Sequence, residues 1–162
     1  MTERELEYAW FFRTEFPSVV RTVFLILRDS ARSEDIAQDA FTQLYVHWRK
    51  VSRYERPEAW VRRVAIRMAV RHQKRDRLRA MLERGSLEPA SDPRTDLDLA
   101  SAMKELSPTQ RAVVVLYYYE DRPTAEIVEI LGMSQSTVRV HLTRARRRLA
   151  DLLREEVGND VD

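Results

Sequence analysis

The stretch TAEIVEILGMSQSTVRVHLTRARRRL, residues 124–149, decides the fold of the C-terminal half of the chain. Two short segments with apolar stripes flank Gly132, the one residue of the stretch that adopts a positive φ without strain. Ser134 follows at the position of a helix N-cap, where its side-chain oxygen accepts a hydrogen bond from a backbone N–H. A helix, a glycine turn and a capped second helix are typical of a helix-turn-helix.

The second helix of this motif is strongly basic. Residues 134–149 contain five arginines and no acidic residue. A helix of this charge suits the major groove of DNA, whose phosphates attract it and whose base edges it reads. The alternative is a solvated basic face on a motif that serves only packing.

The predicted inward stripe of this second helix comprises Val138, Leu142, Ala145 and Leu149.

The opposite side of the same helix carries the candidate base readers, with Ser136 and Thr143 among them. Arg139 suits a bidentate contact to guanine, Gln135 a pair with adenine, and Val140 a thymine methyl. Phosphate contacts, which position the protein without specifying sequence, are assigned to Arg144 and Arg147. For each single residue, simple exposure to solvent stays an alternative.

Composition narrows the class of protein. The chain has 162 residues, of which 44% are hydrophobic and 33% charged, with three glycines and six prolines. Helical periodicity dominates, so we predict an all-α fold. The absence of cysteine excludes disulfides and thiolate metal sites and fits a reducing compartment. No apolar run of membrane-spanning length and no export signal are visible, so we expect a cytoplasmic protein without membrane insertion.

The net charge of +2 conceals a strong asymmetry. Residues 60–79 carry eight basic side chains and one acidic one, and residues 134–149 form the second basic block. The rest of the chain is therefore acidic. Two concentrated basic blocks on an acidic remainder predict two separate contacts with a polyanion.

The first half is predicted to be helical. A helix begins or restarts at Phe16-Pro17, since proline suits a first helical turn. Ser33 is predicted to cap a second helix that runs to about Lys50, and Pro57 opens a third that reaches at least Lys74. The inward stripe of the second helix comprises Ala37, Ala40, Phe41, Leu44 and Trp48.

The segment RGSLEPASDPRTD, residues 84–96, has no helical periodicity and is rich in small polar residues and proline. We interpret it as a flexible linker between two small helical domains rather than a long surface loop within one domain. Ser107-Pro108 is predicted to start a helix in the second half. The predicted divisions are a domain at 1–80, a linker at 81–97, a helix-turn-helix domain at 98–157 and a frayed tail at 158–162.

Aromatic residues are interleaved with arginines near the third helix. Tyr54 lies between Arg53 and Arg56, and Trp60 follows at the start of the basic block. Rings that stack on bases and guanidinium groups that hold the backbone suit single-stranded nucleic acid. The alternative is that both rings close the core of a helical bundle. No catalytic pattern accompanies them: the three histidines are scattered, and no phosphate-binding glycine loop or nucleophile elbow occurs. We therefore expect neither an enzyme nor a cofactor.

The order of these motifs resembles the smallest bacterial RNA polymerase sigma factors, the extracytoplasmic-function (ECF) group, and most of all its actinobacterial members. The motifs that carry the resemblance are SEDIAQDAFTQLYVHW (33–48), RPEAWVRRVAIRMAVRHQKR (56–75) and residues 106–149. Together they extend over about residues 12–77 and 98–153. The resemblance implies a non-enzymatic subunit that binds core RNA polymerase and directs it to promoters, with no small-molecule substrate.

The resemblance also implies a role for each motif. The outer face of the second helix would dock on the clamp coiled coil of core polymerase through Asp35, Gln38, Asp39, Thr42 and Tyr45. The −10 element would be melted and read by Arg53, Tyr54, Arg56, Trp60, Arg63, Arg67 and Arg71. The −35 element would be bound by Arg111, Gln135, Ser136, Thr137, Arg139, Val140, Thr143, Arg144 and Arg147. Members of the group are commonly inhibited by an anti-sigma protein, a further partner that the resemblance implies.

Two other functions stay open at this point. A free-standing transcriptional regulator would use the same helix-turn-helix on duplex DNA, but it leaves the basic, aromatic-containing first half without a task. A protein-interaction module would bind an acidic partner through its basic helices. Promoter-specific transcription with added core polymerase separates these alternatives from a sigma factor.

Overall fold

The structure, a computed structural model, describes residues 1–84 and 99–159. These residues form seven α-helices and one π-helical turn, with no β-strand among them, which confirms the all-α fold class. The elements are α1 (Glu3–Leu27), α2 (Ser30–Val51), α3 (Pro57–Arg84), α4 (Leu99–Lys104), α5 (Pro108–Val114), the π turn (Val115–Tyr119), α6 (Thr124–Leu131) and α7 (Gln135–Asn159).

The chain divides into two compact units, Met1–Arg71 and His72–Asp162, and the division falls inside α3. Residues 81–84 of the predicted linker belong to α3, and its residues 85–97 lie outside the described residues. The helix α7 continues through Asn159, beyond the predicted start of the tail at 158. Residues 160–162 of that tail also lie outside the described part of the chain.

Two helix starts in the first unit differ from the sequence prediction. Helix α1 begins at Glu3, where Thr2 and Glu5 form a reciprocal capping box, so Pro17 lies inside a helix that it was predicted to start. The N-cap of α2 is Asp29, which accepts from the backbone N–H of Arg32 at 3.1 Å. Ser33 is one turn further on and donates to the Asp29 carbonyl at 2.6 Å.

The interior of the first unit includes an aromatic cluster between α1 and α2, beside buried aliphatic residues such as Val23, Ile26 and Leu44. The Phe41 ring lies 5.0 Å from Phe12 and 5.5 Å from Phe16, both edge to face, and Phe11 lies 5.1 Å from Trp48. These arrangements are favoured by the quadrupoles of the rings. All five residues of the predicted α2 stripe are buried, which confirms that face: Ala37, Ala40, Phe41, Leu44 and Trp48.

The second unit has an aliphatic interior. Its last helix packs on α4, α5 and α6, and Ala145 joins Leu106 and Val114 in a buried cluster. Helix α5 begins as predicted, with Ser107 as N-cap, Pro108 in the first turn and a capping box closed by Gln110. Other buried members of this interior are Val113, Leu116, Ile127, Ile130, Val138 and Leu142.

The π turn connects α5 to the loop that precedes α6. Its bond from the Glu120 N–H to the Val115 carbonyl, 3.0 Å long, spans five residues instead of four. Turns of this kind are rare and frequently lie at functional sites. Here the turn carries Tyr117, Tyr118 and Tyr119, and the latter two are more than half exposed.

Candidate nucleic-acid interface

The turn between α6 and α7 has the geometry that the sequence predicts. Gly132 ends α6 with φ 65° and ψ 39°, and its N–H donates to the Val128 carbonyl. Ser134 Oγ accepts from the backbone N–H of Thr137 at 3.2 Å and lies 2.7 Å from the Thr137 hydroxyl. The left-handed turn and the cap together set the angle at which α7 leaves α6.

Helix α7 has a buried side and a polar side. Val138 and Ala145 are fully buried and Leu142 nearly so, whereas Leu149 is partly buried against the same core. The predicted nucleic-acid-facing residues of this helix are all exposed, as a surface that enters a groove requires: Gln135, Ser136, Thr137, Arg139, Val140, Thr143, Arg144 and Arg147. Their contact with DNA remains a prediction.

In the part of the chain that the structure describes, no ion pair neutralises the charge of this face. Among the described residues, α7 forms ion pairs through Arg148 with Glu105 at 3.9 Å and through Arg154 with Asp151 at 3.8 Å. The arginines of the candidate face, Arg139, Arg144 and Arg147, belong to neither pair. Their positive charge is therefore available to an external polyanion.

Arg111 is a correction to the predicted set. Its side chain is only 6% exposed, and the guanidinium donates to the carbonyls of Met103 at 2.8 Å, Lys104 at 2.9 Å and Leu106 at 3.2 Å. A fourth bond joins Nη1 to Gln73 Oε1 at 3.0 Å. These bonds satisfy the carbonyls at the end of α4 and leave the guanidinium no surface for a phosphate. We therefore remove Arg111 from the DNA-facing residues.

Arg146 was not among the predicted site residues, although the structure gives it a distinctive setting. Its Nε donates to the Tyr118 hydroxyl at 2.6 Å, and its guanidinium carbon lies 5.4 Å from the Tyr117 ring centre and 5.5 Å from that of Tyr118. The bond to Tyr118 raises the pKa of Arg146. The sequence signal was the YYY run, whose proximity to α7 depends on the tertiary fold.

The second candidate surface lies at the end of α2 and in the connection to α3. Arg49, Lys50, Arg53 and Tyr54 line a surface cavity of about 410 Å³. Tyr54 is 41% exposed, so its ring does not close the core. A basic cavity with one accessible aromatic ring has the size and chemistry to receive a flat, unstacked ring system.

Helix α3 continues this basic surface. Trp60 is half-buried and meets the His47 imidazole edge to face at 5.9 Å, so part of its ring serves packing. Arg56 is exposed and pairs with Glu58 at 3.3 Å. Further along, Arg63 is half-buried, whereas Arg67 and Arg71 are exposed one turn apart.

The predicted docking face on α2 is exposed throughout, with all five residues accessible: Asp35, Gln38, Asp39, Thr42 and Tyr45. The Thr42 hydroxyl donates to the Gln38 carbonyl at 2.9 Å. Tyr45 packs edge to face on Tyr8 at 5.0 Å, and Tyr8 donates to the Phe41 carbonyl at 2.7 Å. Burial, followed by the nearby Tyr45, raises the pKa of Tyr8 to about 12. The role of this face as a docking site stays a prediction.

Residues 1–84 and 99–159 contain no group of three or more His, Asp or Glu side chains that could hold a metal ion. Among the helices that the structure describes, none combines the length and apolar character needed to cross a bilayer.

Comparison with known protein families gives two matches in sequence order. Residues 11–79 match the model for sigma-70 region 2, and residues 96–149 match the model for sigma-70 region 4. The first match includes the cavity and α2, and the second includes the helix-turn-helix.

Individual relatives agree with the family models. The RNA polymerase sigma-E factor of Streptomyces coelicolor is 30% identical over 97% of this chain and 90% of its own. The ECF RNA polymerase sigma factor SigL of Mycobacterium tuberculosis is 30% identical over 78% of this chain and 77% of its own. A crystallised sigma factor, RpoE of Bartonella quintana in complex with the anti-sigma factor NepR, superposes with a TM-score of 0.69 at 21% identity. This likeness covers 91% of this chain and 97% of the solved one and shows a shared fold.

Proposed function

The chain belongs to the ECF group of RNA polymerase sigma factors, and we propose that its two units hold a promoter at two elements while the chain is bound to core polymerase. The observation that carries this proposal is the pairing of two basic surfaces of different kind in one chain. One is an exposed face of a capped helix, suited to duplex DNA. The other is an arginine-lined cavity with an accessible tyrosine, suited to unpaired bases.

The helix-turn-helix is proposed to bind the −35 element. The N-terminal half of α7 enters the major groove, where Arg139 contacts a guanine edge and Val140 a thymine methyl. Arg144 and Arg147 hold phosphates on either side of the groove and so set the register of α7 on the DNA. Exposure of this face and burial of the opposite stripe support the assignment.

The cavity at the end of α2 is proposed to act on the −10 element. When the strands separate, one base enters the cavity and stacks on Tyr54, while Arg49 and Arg53 hold the adjacent backbone. Trp60 supports this edge of the site through its contact with His47. The exposed Arg67 and Arg71 extend the path of the single strand along α3.

Core polymerase is the proposed partner of the exposed α2 face, through its clamp coiled coil. Each DNA contact is small. When both DNA-binding units are held by one large enzyme, formation of the first contact raises the effective concentration for the second. The Bartonella sigma factor is bound by an anti-sigma factor, and we propose an inhibitory partner of the same kind for this chain. We propose that the chain acts as a non-enzymatic subunit without a cofactor in the bacterial cytoplasm.

The test is run-off transcription with purified full-length chain, core RNA polymerase and a library of promoter variants. The proposal expects transcripts that depend on both elements and require both the chain and the polymerase. DNA binding to specific operators without polymerase would instead support a free-standing regulator. Failure of the chain to co-elute with core polymerase in any buffer would overturn the proposal.

A further inference from the structure

The contact between α7 and the π turn holds the side chain of Arg146 in place. Exposed arginine side chains are ordinarily mobile. Arg146 donates through Nε to the hydroxyl of Tyr118 at 2.6 Å, and its guanidinium lies close to the rings of Tyr117 and Tyr118. The two rings meet edge to face at 4.9 Å. The hydrogen bond and the two rings thereby hold a long flexible side chain in one orientation. The contact lies at the surface, because Tyr118 remains 56% exposed.

The hydrogen bond determines which part of the guanidinium is offered to a ligand. Nε is occupied by the Tyr118 hydroxyl, the Tyr117 side chain lies beside the guanidinium, and Arg146 is in none of the ion pairs that α7 forms among the described residues. A planar fork of two parallel N–H groups matches two oxygens of a phosphate, and it gains from being oriented before binding. The tyrosine hydroxyl therefore acts as a positioning group for the end of the arginine that remains available.

The position along α7 indicates where such a fork would lie on DNA. Arg146 follows Arg139 by seven residues, which is two helical turns, or about 10 Å, along nearly the same side. In a helix-turn-helix the first residues of the recognition helix contact base edges. A residue two turns later on that side has left the floor of the groove and approaches the phosphates of its wall.

We propose that Arg146, oriented by Tyr118, is a preformed contact to one DNA backbone phosphate that flanks the −35 element. This inference rests on the proposed function, since it requires α7 to enter the groove there. Tyr118 is a positioning residue that acts through Arg146. The contact adds affinity and register but reads no base, which separates it from the assignment of Arg139.

The experiment uses holoenzyme reconstituted from core polymerase and the full chain, with promoter DNA carrying single methylphosphonate substitutions along both strands of the −35 region. Binding is measured over a range of salt. Arg146→Ala should lower the slope of log affinity against log salt by about 0.9, and lower affinity roughly eightfold at about 0.1 M salt. At one phosphate, neutralisation should have no further effect on the variant although it weakens wild type.

Two variants separate positioning from charge. Tyr118→Phe keeps the ring and removes the hydroxyl, so affinity should fall by a smaller factor while the salt slope is retained. Arg146→Lys should also keep the slope, because an ammonium neutralises a phosphate as well. A loss of slope in Arg146→Lys equal to that in Arg146→Ala would overturn the proposal in favour of a structural role.

The matched control is Arg148→Ala, on the same helix but on the flank that faces Glu105. It should leave the salt slope unchanged. Two outcomes, with wild-type holoenzyme still binding the promoter, would overturn the Arg146 contact alone. One is that Arg146→Ala leaves the salt slope unchanged, as the control does. The other is that its loss of affinity adds to the loss caused by a methylphosphonate at every phosphate tested. A change in base preference with Arg146→Ala would assign it to base reading instead and also overturn the contact. If wild-type holoenzyme shows no promoter binding, the proposed function fails and the contact with it.

Discussion

In the unit Met1–Arg71 the buried rings of Phe41 and Trp48 pack on rings of α1, whereas in the unit His72–Asp162 the tyrosines of the π turn lie towards the surface. In the first unit, four phenylalanines and a tryptophan pack on one another between α1 and α2, so these rings contribute to its stability. The second unit fills its interior with Val, Leu, Ile and Ala, so its tyrosines are available for other contacts. The difference teaches that residue type alone does not separate core from site in this chain.

The largest expected effect tests the interior rings. Phe41 is 1% exposed, so Phe41→Ala should lower the free energy of unfolding of the first unit by about 3–5 kcal/mol through lost burial and a cavity. Denaturant titration followed by tryptophan fluorescence measures this unit selectively, because Trp10, Trp48 and Trp60 all lie within it.

The matched control for Phe41 is an aromatic residue at the surface of the other unit. Tyr119 is 53% exposed, and Tyr119→Ala should change stability by no more than about 0.5 kcal/mol when followed by far-UV circular dichroism. Equal losses in the two variants would break the contrast between interior and surface rings.

Arg111 sharpens the same contrast for charged residues. Arg111→Ala removes the four hydrogen bonds of the buried guanidinium, so the second unit should lose about 3 kcal/mol of stability. Circular dichroism in denaturant measures this loss, with the exposed Arg144→Ala as a near-neutral control. A stable Arg111→Ala variant whose holoenzyme binds promoters with a reduced salt slope would return Arg111 to the DNA-facing residues.

Tyr54 tests whether an exposed ring in the first unit serves function. Tyr54→Ala should weaken strand opening by about 1–3 kcal/mol, the value of one stacked base, and leave closed-complex binding nearly unchanged. Permanganate reactivity of −10 thymines in holoenzyme complexes measures opening, and Tyr54→Phe should preserve it because the ring is retained. Unchanged reactivity in Tyr54→Ala would remove the stacking role.

Arg139 tests the reading of duplex DNA in the second unit. Arg139→Ala should lose about 1–3 kcal/mol of discrimination at one −35 base pair, whereas Arg144→Ala should weaken all promoters alike. Transcription from every single-base variant of the −35 element gives both numbers. If wild type and Arg139→Ala discriminate identically among the −35 variants, this residue reads no base.

The smallest expected effect concerns His141. Burial, then the positive charges of Arg144 and Lys74, lowers its pKa from the ordinary 6.5, and its buried Nδ1 has no hydrogen-bond partner among the described residues. Well above pH 6.5 the residue is neutral in both the folded and the unfolded chain. Below it the unfolded chain binds a proton more readily, so stability falls as pH falls towards the folded pKa.

The measurement for His141 is the thermal unfolding midpoint of wild type and His141→Gln between about pH 8 and pH 5. Wild type should lose more stability than the variant as the solution is acidified. Parallel curves would show that His141 binds protons equally in the folded and unfolded states.

Local chemistry made much of the helix-turn-helix predictable from sequence. The glycine at 132 adopts the left-handed conformation because no side chain opposes it, and Ser134 caps α7 because its hydroxyl lies two to three residues before an orphan N–H. The α2 stripe followed from the helical period. The capping box at Thr2 and Glu5 was equally visible in the sequence and would have placed the start of α1 at Glu3.

Other features depend on contacts between distant positions. The burial of Arg111 follows from the carbonyls at the end of α4 and from Gln73, and no local pattern distinguishes it from the exposed arginines of α7. Similarly, the Tyr118–Arg146 contact joins residues 28 positions apart. The choice of Asp29 over Ser33 as the α2 cap was a competition between two good N-caps, which sequence alone did not decide.

The π turn at Val115–Tyr119 has an evolutionary consequence. Its backbone hydrogen bond spans one residue more than the bond of an α-helix. An in-frame deletion of a single codon could therefore convert the turn to regular α-helix and leave the buried residues of α5 and α6 unchanged. Such a deletion would rotate the tyrosines by about 100° and separate the hydroxyl from Arg146. Related proteins could therefore acquire or discard this contact through changes in gene length rather than through substitution.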